Sequence, residues 1–90
     1  MHSSKPLRGD NLVLQPLGNE LMVYNPLKQV VHVLNATAQH IWDLCDGQHT
    51  PREIVQSLQM SFDLPTHADV EGDVTHLLTE LEDKELLRYS

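Results

Sequence analysis

Gln29-Val30-Val31-His32-Val33-Leu34-Asn35-Ala36-Thr37-Ala38-Gln39-His40-Ile41-Trp42-Asp43-Leu44-Cys45-Asp46-Gly47 is the stretch in which the chain passes from the strand period to the helix period. Gln29 to Leu34 is rich in β-branched valine, which suits a pleated, half-buried surface, and reads as a strand. Asn35 then breaks it. Its side-chain oxygen can accept from the exposed amides of a first helical turn, so it reads as an N-cap. From Ala36 to Cys45 the spacing is helical, with Ala38, Ile41, Trp42 and Cys45 on one face and Leu44 near it. Asp46-Gly47 stops the helix, because glycine tolerates the left-handed conformation that helix ends favour.

Upstream, Leu12-Val13-Leu14 and Leu21-Met22-Val23-Tyr24 are short apolar runs separated by the turn dipeptide Gly18-Asn19, which predicts a hairpin. Asn25-Pro26 places a second turn before the third strand. Residues 1–10 are polar and aperiodic and are expected to form a flexible tail, leaving 11–90 as the domain. Downstream, Thr50-Pro51-Arg52-Glu53 combines a cap, a proline at the first helical position and a capping-box glutamate. Ile54, Val55, Leu58 and Phe62 follow as the apolar face of a second helix, with Leu64-Pro65 closing it. Thr66 is a candidate cap for a third helix whose stripe is Val70, Val74, Leu77, Leu78 and Leu81. Gly72 costs that helix about 1 kcal/mol relative to alanine. Leu86-Leu87 is expected to fold back on the core. The order is βββααα: an α+β fold, a three-stranded antiparallel sheet followed by three helices. The helices cover one face of the sheet; the other face and at least one edge stay open.

Composition bounds the function. Ninety residues sustain one modest core, with little room for an enclosed active site. Thirteen acidic residues stand against 6 Lys and Arg, a formal charge of −7. Phosphate backbones and anionic membranes repel such a chain, and no segment clusters cations, so neither nucleic acid nor membrane is an expected partner. The lone Cys45 has no intramolecular disulfide partner. The first ten residues lack the apolar core of a secretory signal, and no run approaches the roughly 20 apolar residues of a spanning helix. A reducing cytoplasm is the expected location.

Little in the sequence carries chemistry. Six histidines are scattered without the i, i+4 spacing of a helical ligand pair and without neighbouring cysteines, so no metal site is expected. Cys45 lies on an apolar helix face, where a packed and inert thiol is the ordinary state. The four glycines are isolated and form no phosphate loop. Asp69, Glu71 and Asp73 read as a solvated helix start, and Trp42 as core. No catalytic residue and no cofactor is expected. The third strand is the exception. In a meander it would be an edge, and Gln29, Val30, Val31, His32 and Val33 include neither the lysine nor the proline that usually blunts one. An extended peptide could add there, with backbone bonds for affinity and side-chain pockets for register. A second copy of the chain could pair there too, giving a homodimer.

Leu34-Asn35-Ala36-Thr37-Ala38, Ile41-Trp42-Asp43-Leu44-Cys45-Asp46-Gly47, Thr50, Glu53-Ile54-Val55, Leu58, Asp73-Val74, Leu77-Leu78, Leu81 and Leu86-Leu87, in that order, resemble the pattern of PqqD-like proteins over roughly residues 12–88. The resemblance implies a winged-helix-like domain of the RiPP recognition element type, which binds the leader of a ribosomally made precursor peptide. The leader would add to the third strand in a groove walled by the third helix, often beside a radical S-adenosylmethionine enzyme, as in coenzyme PQQ synthesis. Carried over by position, Val30 to Val33 would offer the edge, and Asp73, Leu77 and Glu80 the helical wall. Two places depart from the pattern. Glu85 stands where the family often has glycine, and the second strand lacks the Pro-Glu element of the PQQ-pathway members. The alternative is a winged-helix DNA-binding regulator, but neither the second nor the third helix has more than scattered cations for phosphates.

Overall fold

The structure, a computed structural model, describes residues 5–62 and 69–89. Along these residues run β1 (Pro6–Arg8), β2 (Val13–Leu17), β3 (Glu20–Asn25), β4 (Val30–Leu34), α1 (Ala36–Asp43), α2 (Pro51–Ser61), α3 (Val70–Asp83) and β5 (Leu87–Tyr89). The sheet expected from the sequence is an antiparallel meander in the order β2-β3-β4. Its first turn is Gly18-Asn19, with Gly18 at φ +63° and Leu17 opposite Glu20. In the second turn the Asn25 carboxamide oxygen accepts from the N–H groups of Leu27 and Lys28 at 3.0 and 3.3 Å. The turn closes with the Gln29 N–H donating to the Asn25 carbonyl at 2.7 Å. Gln29 is left-handed, φ +56°, so it belongs to the turn and the strand starts one residue later than predicted.

Alternation decides which side chains reach the core. Val23 of β3 and Leu34 of β4 are fully buried under the helices, whereas Val31 and Val33 point to the open face. Ile41 and Trp42 of α1, Ile54 and Leu58 of α2, and Val70, Val74, Leu78 and Leu81 of α3 fill the other side of the core. Asn35 caps α1 as expected, its side chain accepting from Ala38 N–H at 2.9 Å. The Thr50–Glu53 capping box is complete, with bonds of 2.8 and 3.2 Å in the two directions. Thr66 and Leu64-Pro65 lie outside the described residues. The cap of α3 is instead Asp69, whose side chain accepts from Gly72 N–H at 3.0 Å. A Cβ at position 72 would collide with that carboxylate, so the glycine makes room for the cap.

Two further expectations are corrected. The helix after Asn35 stops at Asp43 rather than Cys45, because residues 45–47 pair with β1: Arg8 N–H donates to the Cys45 carbonyl and Gly47 N–H to the Pro6 carbonyl, both at 2.9 Å. The predicted tail is therefore structural over Pro6–Arg8. β1 also pairs antiparallel with β5, Leu7 opposite Arg88, and Pro6 is fully buried. Its polar, aperiodic sequence gives no strand signal because its partners, not its own pattern, make it a strand.

The end of α3 explains the departure at Glu85. Leu86 N–H donates to the Leu81 carbonyl and Glu85 N–H to the Glu82 carbonyl, both at 2.9 Å, a Schellman stop with Glu85 as its left-handed residue at φ +58°. Leu86 and Leu81 are both fully buried in the same core cluster, in keeping with the apolar contact that accompanies this motif. Left-handed backbone costs a residue with a Cβ roughly 1–2 kcal/mol. The compensating Lys28–Glu85 ion pair, 3.3 Å, joins side chains 53% and 62% exposed, and such pairs contribute about 0–1 kcal/mol. Glu85→Gly is therefore expected to stabilise the protein by about 0.5–1 kcal/mol, read as a higher urea midpoint at unchanged slope. A lower midpoint would mean the ion pair outweighs the backbone strain.

Candidate functional site

A meander has two edges, and hydrogen-bond parity tells them apart. In an antiparallel pair only alternate residues bond across the ladder, and the rest aim their N–H and C=O outward. The Leu17–Glu20 and Asn25–Val30 pairs close the two turns, so β3 bonds β2 through residues 20, 22 and 24 and bonds β4 through 21, 23 and 25. On β2 the outward residues are then Leu14 and Pro16. Pro16 has no N–H to offer, which blunts that edge. On β4 they are Val31 and Val33, whose N–H and C=O groups face away from β3. Their side chains are 47% and 46% exposed on the open face.

Across from β4 stands the C-terminal half of α3. Lys84 Nζ donates to the Val31 carbonyl at 3.4 Å and to His32 Nδ1 at 2.9 Å, which confirms that the Val31 carbonyl faces away from β3. Glu80 Oε2 lies 3.9 Å from His32 Nδ1 and 3.7 Å from Lys84 Nζ. His32 sits under this cover, and its pKa is lowered below the usual 6.5, first by burial and then by the Lys84 ammonium, with Glu80 opposing. The neutral imidazole is the form that can accept from lysine.

Of the residues singled out from the sequence, Val31 and Val33 form the outward edge of β4, and Glu80 approaches that strand at His32. Val30 is half-buried and bonds inward to β3, and Gln29 is turn. Leu77 packs half-buried against the core beside the same helix face. Asp73 is exposed in the first turn of α3, where it complements the positive end of the helix. Lys84 is the residue that sequence reading missed. It continues the spacing Asp73, Leu77, Glu80 by one more turn, and that spacing was its only signal.

Other groups among the described residues are engaged with their neighbours. Cys45 is buried with Sγ donating to the Ile41 carbonyl at 3.2 Å, and burial pushes its thiol up to about 12. Burial thus disfavours the thiolate, the form that acts as a nucleophile. His40 bonds Ser57 at 3.0 Å and His49 bonds Asp46 at 2.9 Å. No group of His, Cys, Asp and Glu among the described residues could hold a metal ion. The exposed side of α3 carries Glu71, Asp73, Glu82 and Asp83, a surface that repels phosphates. No helix among the described residues is long and apolar enough to cross a membrane.

The family model for coenzyme PQQ synthesis protein D (PqqD) matches residues 20–87, from the start of β3 to the start of β5. The chain belongs to the PqqD family. Among solved structures, this PqqD-family chain superposes on TbiB1, solved in complex with the TbiA(beta) leader peptide. The TM-score is 0.74 at 26% identity, covering 91% of this chain and 94% of that one. The heterocyclase TruD shares the fold, with TM-score 0.64 at 17% identity, over 97% of this chain and 12% of TruD. No curated protein matches the chain. The TbiB1 superposition covers nearly the whole chain, and the α+β order read from the sequence, a three-stranded sheet followed by three helices, stands, with β1 and β5 as further strands of this structure.

Proposed function

We propose that this PqqD-family domain binds the leader segment of a ribosomally synthesised precursor peptide without catalysis of its own. The leader adds as a strand beside β4, and the domain presents it to a modifying enzyme in the cytoplasm, a radical S-adenosylmethionine enzyme being the partner class the family suggests. The observation that carries this reading is the parity of the sheet. The β4 edge turns the N–H and C=O of Val31 and Val33 away from β3 and next to a helix, whereas Pro16 spoils the β2 edge. The complex of TbiB1 with a leader peptide supports the ligand class.

Magnitudes say what else the ligand must bring. Four backbone hydrogen bonds contribute about 1 kcal/mol net each, well short of the roughly 8 kcal/mol of a micromolar complex. Apolar peptide side chains packing between β4 and Leu77 must supply the remainder, at about 25 cal/mol per Å² of apolar surface buried. Titrating the ¹⁵N-labelled domain with synthetic N-terminal segments of the short open reading frames adjoining its gene tests the reading. Amide shifts concentrated on residues 30–34 and along α3 are the expected result. Saturable shifts confined to α2, or to the β2 edge, would overturn it.

A further inference from the structure

The β4 strand lacks a lysine of its own, yet its edge is held by one. Lys84 reaches from the end of α3 to the Val31 carbonyl and to His32 Nδ1, and its side chain is one-third exposed, 33%. This is the acceptor that an added strand needs for its own N–H. A peptide N–H that pairs with Val31 competes with the ammonium for that carbonyl. What remains to Lys84 is the imidazole and the Glu80 carboxylate at 3.7 Å, beyond ordinary hydrogen-bond length. A half-covered ammonium left short of acceptors costs free energy unless the incoming chain brings a replacement.

Resting on the strand-addition reading, we propose that Lys84 is a specificity-determining residue that selects leader peptides carrying a carboxylate next to the residue paired with Val31. Facing side chains in a sheet share a side, so this carboxylate belongs to the peptide residue on the His32 side of the sheet, toward α3. There it accepts a charge-assisted bond from Lys84 as the Val31 carbonyl turns to the peptide N–H. Glu80 is free to yield, since its side chain is 43% exposed and neither of its ion pairs is short. The preference is local. The chain's net charge of −7 favours basic peptides at long range, so an acidic preference at one fixed position, against a basic background, is a signature that overall charge does not produce.

Selection from a phage-displayed library of random decapeptides, run on the full chain and on Lys84→Met, Lys84→Arg and Lys84→Glu, tests this. Wild type and Lys84→Arg should enrich Asp or Glu at one position. Lys84→Met should lose that enrichment, and Lys84→Glu should turn it to Lys or Arg. A selected peptide with that acid changed to its amide should bind wild type about tenfold more weakly and Lys84→Met equally well. Unchanged circular dichroism shows that each variant folds. Selected peptides whose binding is lost in Val31→Pro, but which carry no acidic position or keep it in Lys84→Met, overturn the role of Lys84 and leave strand addition standing. Peptides indifferent to Val31→Pro, or none selected, overturn strand addition and Lys84's role together.

Discussion

Replacing Val31 with proline is expected to weaken peptide binding about a hundredfold while leaving the domain folded. The N–H lost is one that faces away from β3, so no bond within the sheet is broken, and the Val31 side chain is already half exposed. For an added strand the loss is large. A peptide carbonyl would be left without its donor, at about 1–3 kcal/mol, and the pyrrolidine ring would stand in the space the peptide backbone must occupy, at about as much again. Together these come to about 2–6 kcal/mol, a range that includes the roughly 2.8 kcal/mol of a hundredfold change. The neighbouring position supplies the contrast. His32 bonds inward to Val23, so His32→Pro breaks the ladder itself and should unfold the domain. Amide dispersion reads the fold of each variant and peptide titration reads binding. Normal binding by a folded Val31→Pro protein would rule out the β4 edge as the site.

That contrast depends on parity, which the sequence already implied at two places. Gly18-Asn19 and Asn25-Pro26 mark the turns, and once the closing pairs are known every other residue's backbone direction follows. The β4–α1 junction was legible for the same local reason: a valine-rich run, an asparagine cap and an apolar helical face all act within a few residues of themselves. The capping box at Thr50–Glu53 is equally self-contained. What could not be read is what depends on distant partners. Lys84 and Val31 are separated by most of three helices, and a lysine at a helix end has an obvious solvent-exposed alternative. Glu85 in a left-handed conformation breaks a local preference that only the docking of Leu86 and Leu87 into the core enforces. Helix caps show the boundary within one element: both Thr66 and Asp69 qualify by residue type, and only Asp69 sits immediately before the helix as it forms.

The N-terminal strap offers the sharpest test of this distinction, because a tail and a strap predict opposite results. Shortening the chain through Arg8 is expected to cost about 3–5 kcal/mol, a large part of the roughly 5–13 kcal/mol available to a domain of this size. Three separate losses lead to that figure. Pro6 is fully buried, and its removal leaves a void against the core. The Cys45 and Leu86 carbonyls lose the N–H groups of Arg8 and Gly9, at 2.9 and 3.1 Å, once the segment can no longer hold its place. Finally, Arg8 Nη1 donates to the Trp42 and Asp43 carbonyls, both at 2.9 Å, at the negative end of α1. That last interaction can be isolated. Arg8→Ala should destabilise by about 1.5–3 kcal/mol, the range for hydrogen bonds to a charged group, and Arg8→Lys should recover only part because an ammonium lacks the planar fork. Urea unfolding of the three proteins measures all of this at once. If midpoints do not move, residues 6–8 rest on the surface without contributing, and the bond network around Cys45 is sustained by the helix end alone. If Arg8→Ala accounts for about half of the truncation's effect, the remainder belongs to Pro6 and the β1 backbone, and the segment that reads as a tail is the clasp joining the end of α1 to the end of α3.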